Sequence, residues 1–194
     1  MKKTLYLASK NSGKIFEYKK LLSRVNCNLL LQPESIDIIE NGKDFRENAI
    51  KKASKVSLIT KNYAIADDSG LCINALNGDP GIYSSRYASN DKQRIERVLR
   101  ELSGFDDRSA FFVAHICLAS PKGEILFNVE EKCYGNILQV QRGSNGFGYD
   151  PIFEEKFSGL TFAEMNDDVK SKESHRGKAL NKIIPKLVTL FGDV

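Results

Sequence analysis

The chain has 194 residues, 41% of them hydrophobic and 28% charged, with a formal net charge of +4. That length buries one globular domain, with room for two lobes, without a structural metal or disulfide to hold it together. No apolar run approaches the roughly 18 residues of a membrane span, and the first residues break at Ser9 too early for a signal peptide, so the expected location is the cytoplasm. Lysines and arginines are spread along the chain without a basic block, which argues against nucleic acid as partner. Cys27, Cys72, Cys117 and Cys133 form no CxxC pair, and with two histidines in the chain they read as reduced thiols and not as a zinc site.

Thr4 to Ala8 reads as a short buried strand, followed by a helix from Lys14 to Leu22 with Ile15, Tyr18, Leu21 and Leu22 on one stripe. Leu29 to Leu31 is a second strand. A longer helix opens near Asp44, with Phe45, Ala49, Ala53 and Val56 apolar and Asp44 and Glu47 spaced as a capping box. Tyr63–Ala66 and Leu71–Ile73 read as two strands on either side of Asp67-Asp68-Ser69-Gly70. Asp91 to Ser103 is an amphipathic helix, and Ala110–Ala119 turns through Pro121-Lys122-Gly123 into Glu124–Val129 as a hairpin in the middle of a sheet. Ser174 to Phe191 forms a last helix that Pro185 should bend. Strands and helices thus alternate in one α/β unit without internal repeats.

Five segments carry candidate chemistry. Ser9, Lys10, Asn11, Ser12, Gly13 and Lys14 connect a strand to a helix start, where outward N–H groups and the helix dipole suit a phosphate; Ser12 as a plain helix cap between solvated lysines is the alternative. The spacing fits neither a Walker loop nor a GxGxxG fingerprint. Asp67 and Asp68 between apolar strand residues suit a magnesium ion, which takes one or two carboxylates plus phosphate oxygens, or equally an Asp-Ser-Gly turn. Glu40, upstream of the second helix, matters if the fold brings it to Asp68. Phe147, Gly148, Tyr149 and Asp150 lie in a glycine-rich loop whose rings could stack on a purine or simply pack. Lys170, His175 and Arg176 lead into the last helix on a loop and could donate to a base carbonyl, with Ser174 as N-cap the alternative. His115, inside an apolar strand, reads as a core histidine. Together these are the parts of a metal-nucleotide site.

In this order, ASKNSGK, DFRENAIKKA, AIADDSGL, GDPGIYSSRYA, GFGYDPIF and SHRGKAL resemble the inosine/xanthosine triphosphate pyrophosphatase family over nearly the whole chain. The resemblance implies an elongated mixed β-sheet flanked by helices, one two-lobed domain over residues 1–194 with the nucleotide cleft between the lobes, and a homodimer. It implies magnesium-dependent hydrolysis of ITP, dITP and XTP to the monophosphate and pyrophosphate, clearing them from the nucleotide pool. By position it assigns Ser9–Lys14 to the triphosphate, Glu40 and Asp68 to the metal, and Asp68 also to the base. Ser69 falls to a substrate contact, Phe147, Gly148, Tyr149 and Asp150 to the base and sugar pocket, and Lys170, His175 and Arg176 complete that pocket. Where the family usually has Thr-Gly-Asn, this chain has Ser9-Lys10-Asn11. A phosphatase releasing orthophosphate and a nucleotide-binding module without turnover are the other readings.

Overall fold

The computed structural model describes residues 2–192. Six strands form one mixed sheet: β1 (Thr4–Ala8), β2 (Asn28–Leu31), β3 (Tyr63–Ile73), β4 (Ser109–Ala119), β5 (Ile125–Ile137) and β6 (Phe153–Glu155), in the order β2-β1-β3-β4-β5-β6. β1 pairs in parallel with both β2 and β3, while β6 lies antiparallel to β5. The helices are α1 (Ser12–Leu21), α2 (Phe45–Thr60), α3 (Asp91–Glu101), α4 (Asp167–Glu173) and α5 (His175–Phe191). None among the described residues is long and apolar enough to cross a membrane. The α/β architecture and the central hairpin follow the sequence expectation.

The chain divides into two units. The first comprises the chain to Asp68, Ala114–Glu131 and the chain from Ala179; the second comprises Ser69–Val113 and Lys132–Lys178. In the first, side-chain alternation along the strands separates two cores. Leu5, Leu7 and Ile65 face one way and pack with Tyr18 and Leu22 around α1 and with Leu180, Ile183 and Leu187 of α5. Ala8, Ala64 and Ala66 face the other way, against Ala49, Ala53 and Val56 of α2. Small residues on both partners of that second face let α2 lie close to the strands. Each buried Leu or Ile contributes about 1.5–3 kcal/mol relative to exposure. The second unit has its own core, built on Ile95 and Val98 of α3, Phe112, Phe153 and Phe162.

Several local expectations need correction. The first helix begins at Ser12, two residues early, and its cap is Asn11 rather than Ser12: Asn11 Oδ1 accepts from the Lys14 N–H at 2.9 Å. Asp67-Asp68-Ser69-Gly70 is no turn; it lies inside β3, an unbroken strand of 11 residues. Three of these four are polar or charged, which hides a strand from any reading based on hydrophobic period. β5 runs on past Val129 to Ile137. The capping box is present, with Asp44 Oδ1 accepting from Glu47 N–H at 2.7 Å, and α5 runs through Pro185 uninterrupted. His115 is buried in β4 as expected, its Nδ1 3.6 Å from the Glu130 carboxylate. All four cysteines are free thiols, and burial pushes those of Cys117 and Cys133 up to about 12, which disfavours the reactive thiolate.

Candidate active site

In the first unit the polar residues gather beyond the end of β1. Ala8 pairs with Ala66, after which β1 stops while β3 continues into Asp67 and Asp68. Since β1 has β2 on one side and β3 on the other, its carboxyl end is a point where the connections diverge, the usual ligand position in open parallel sheets. The Ser9–Lys14 segment crosses this point and opens α1, whose first N–H groups lack intrahelical acceptors. Lys10 turns outward to a solvated contact with Asp37 at 3.7 Å. The non-glycine residues with positive φ among the described residues are Lys61 and Asn77, so the backbone at Lys10 does not need glycine.

Strand alternation sends the two adjacent aspartates to opposite faces. Asp67 shares the face of Ile65 and α1, where its buried carboxylate accepts from the Lys14 ammonium at 2.6 Å. Asp68 shares the face of Ala66 and α2. There its Oδ1 accepts from Lys52 at 3.1 Å and its Oδ2 from the Asn48 amide at 3.1 Å. Asp67 and Asp68 are therefore not a metal pair. Glu40 and Asp68 do converge, because the Lys52 ammonium also donates to Glu40 Oε1 at 2.7 Å. Asn48 Oδ1 in turn accepts from the Gly42 N–H at 2.7 Å, tying the segment that carries Glu40 to the carboxylate of Asp68. The Asp68 pKa is raised, first by burial and then by the charge of Glu40, against the lowering effects of Lys52, Lys14 and Asn48.

Asn48 and Lys52 were not singled out in the sequence. They sit four residues apart on the same stripe of α2 as buried Val56, and a polar pair on a buried stripe is the signal that would have found them. No cluster of three or more His, Cys, Asp or Glu side chains disposed to hold a metal occurs among the described residues. Two carboxylates already gathered on one cation nevertheless suit magnesium, whose remaining ligands come from phosphate and water.

In the second unit, a 3-10 turn over Asp150–Ile152 closes the glycine loop. Asp150 Oδ2 accepts from the Phe147 N–H at 2.8 Å and from Lys170 Nζ at 2.7 Å. A Cβ on Gly146 would stand 2.0 Å from the same oxygen, so this position requires glycine. The Gly148 N–H donates to Asp91 Oδ2 at 2.7 Å, and the Tyr149 hydroxyl to Ser84 O at 2.9 Å. These bonds present the half-buried Phe147 ring to two cations, Lys170 Nζ at 5.0 Å and the Arg176 guanidinium at 5.8 Å from its centre. Arg176 is 3% exposed and donates to Ser69 Oγ at 2.7 Å. His175 stacks on Phe112 with centroids 4.7 Å apart.

His175 and Arg176 form the first turn of α5, as a last helix from Ser174 requires, and do not lie on a loop; Ser174 Oγ caps that turn, accepting from the Gly177 N–H at 3.1 Å. The preceding helix α4, not foreseen in the sequence, carries Lys170. The two helices meet so closely at Gly177 that a Cβ there would lie 2.1 Å from the Ser171 carbonyl oxygen. Gly177→Ala is expected to destabilise the protein by about 1–3 kcal/mol through forced separation of α4 and α5. Thermal unfolding checks this, and an unchanged midpoint would show that the contact is relieved at no cost.

A sequence model of the Ham1 family matches residues 5–186. The chain belongs to the Ham1 family. A relative from Prochlorococcus marinus subsp. pastoris, a dITP/XTP pyrophosphatase, is 66% identical over 97% of this chain and 99% of its own length. A dITP/XTP pyrophosphatase from Nostoc is 46% identical over 98% of this chain and 97% of its own. Among solved structures, a Ham1 protein from Coxiella burnetii superposes with a TM-score of 0.87 at 40% identity, covering 96% of this chain and 98% of that one. The Staphylococcus aureus Ham1 protein gives 0.86 at 36% identity, covering 97% and 100%. The Ham1-family match spans both units and every candidate residue from Ser9 to Arg176.

Proposed function

We propose that the chain hydrolyses non-standard purine nucleoside triphosphates, namely dITP, ITP and XTP, to the monophosphate and pyrophosphate. The geometric observation that carries the hydrolytic part is Asp68, a buried carboxylate with a raised pKa that shares one cation position with Glu40. The near-full-length relatives named dITP/XTP pyrophosphatase supply the substrate class.

The start of α1 and Lys14 bind the triphosphate, since N–H groups and an ammonium meet the charge that grows on a pyrophosphate leaving group. Glu40 and Asp68 would hold magnesium, which when bound neutralises phosphate charge. Asp68 accepts the proton of the attacking water, and a carboxyl pKa lifted toward neutrality favours that transfer. Phe147 stacks on the purine. Arg176 and His175 donate to its 6-keto oxygen, so that adenine, with a 6-amino group, would set donor against donor. Ser69 holds the Arg176 guanidinium in place. We extend the reading to a cytoplasmic homodimer acting on free nucleotides and not on nucleic acid.

The test is a steady-state comparison of dITP, ITP and XTP with dATP. A buried donor left unpaired by the wrong base costs about 1–3 kcal/mol, so kcat/KM should favour the 6-keto substrates by roughly 5–150-fold. Equal kcat/KM for dATP and dITP would refute the base selection.

A further inference from the structure

The place where the metal reading needs a cation holds one that belongs to the chain. Lys52 reaches from α2 to lie 2.7 Å from Glu40 Oε1 and 3.1 Å from Asp68 Oδ1, with its side chain 8% exposed. An ammonium within hydrogen-bond distance of two carboxylates is held in its charged form. The amine is thus a full positive charge balancing two carboxylates that would otherwise repel each other in a poorly solvated place.

A magnesium ion requires oxygens at about 2.0–2.1 Å, and an ammonium within hydrogen-bond distance of both carboxylates stands on the same position. The two cations would also repel one another. We infer that Lys52 is the resting counter-ion of Glu40 and Asp68, and that a divalent metal enters this site only by exchanging with it. The inference rests on the metal role proposed above for those carboxylates. Its consequence is an order of events. Metal alone meets a carboxylate pair whose charge the ammonium already halves, and it binds weakly. A triphosphate supplies further oxygens for the metal and an anionic partner for the displaced ammonium, so metal and nucleotide strengthen each other's binding reciprocally.

The experiment uses Mn²⁺ as probe, with binding to wild type, Lys52→Met and Lys52→Arg followed by electron paramagnetic resonance, with and without a non-hydrolysable dITP analogue. Without nucleotide, Lys52→Met should bind Mn²⁺ about ten-fold tighter than wild type or better, a change of about 1.4 kcal/mol. Lys52→Arg, which keeps the charge, should stay near wild type. The unfolding midpoint of Lys52→Met, lowered by loss of the cation, should recover with Mn²⁺ far more than that of wild type rises. Equal or weaker Mn²⁺ binding by Lys52→Met overturns the exchange, whereas a wild type that binds no Mn²⁺ even with the analogue overturns the metal role itself. Should Lys52→Met not fold, acetylation of Lys52 in the wild type, read by mass spectrometry, decides: saturating Mn²⁺ should increase it, and unchanged labelling overturns the inference.

Discussion

Asp68→Asn is expected to lower kcat by about 10³-fold at saturating Mg²⁺ and dITP, within the range that a general base contributes. The substitution preserves volume and leaves Lys52 its bond to Glu40, so the fold around α2 should persist. What disappears is the proton acceptor. The loss of negative charge also removes half of the cation position, so the defect should not be rescued by raising nucleotide concentration. In the wild type, burial lifts the Asp68 pKa, and Lys52 and Lys14 only partly offset it. A carboxylate must be ionised to act as a base, so kcat/KM should fall as pH decreases through a value above the ordinary aspartate range of about 3.9. Pyrophosphate release measured across pH tests both statements. Activity within ten-fold of wild type in Asp68→Asn would take Asp68 out of the reaction.

Asp150→Ala should be the most destabilising single change in the second unit. Lys170 and Asp150 are both buried and 2.7 Å apart, and removing the carboxylate leaves the ammonium without that counter-charge in a place water scarcely reaches. Breaking a buried pair in this way costs about 3–5 kcal/mol. For a chain of this size the unfolding midpoint should fall by roughly 10 °C. The same carboxylate accepts from the Phe147 N–H, so the ring that we assign to the purine loses its anchor as well. Nucleotide affinity should therefore drop in the protein that remains folded. Asp150→Asn, which keeps an acceptor for Phe147 but not the charge, should retain more affinity than stability. A midpoint within 2 °C of wild type for Asp150→Ala would show that Lys170 relaxes into solvent, contrary to its 9% side-chain exposure.

The two variants probe residues of different legibility. Asp68 was visible in the sequence because acidic residues between apolar strand segments need an explanation. The expectation that Asp67 shares its role failed for a simple reason: neighbours in a strand point to opposite faces. Reading Asp67-Asp68-Ser69-Gly70 as a turn concealed that alternation, and the unbroken β3 reveals it. Glu40 meets Asp68 through Lys52, whose place on the buried stripe of α2 is hidden by two lysines side by side in Ile50-Lys51-Lys52-Ala53. Lys51 is exposed and Lys52 buried, a difference that depends on which turn of α2 faces β3. The two helices that follow β6 show the same limit. His175 and Arg176 were recognised as donors, yet α4 went unseen because its seven residues hold five charged ones and no apolar period. Asp91 was read as the start of α3, and nothing in its local sequence pointed to Gly148, 57 residues away. Elements with a strong apolar rhythm, such as α5 and β4, were legible. Polar contacts between segments distant in the chain were not, because they are made by the fold.

Hydrolysis should cut between the α and β phosphates of a non-standard purine triphosphate. ³¹P nuclear magnetic resonance on one reaction containing dITP, dATP, Mg²⁺ and the protein follows that cut. Pyrophosphate and dIMP should appear in step while dATP persists. Orthophosphate with dIDP, or dAMP accumulating as fast as dIMP, would contradict it.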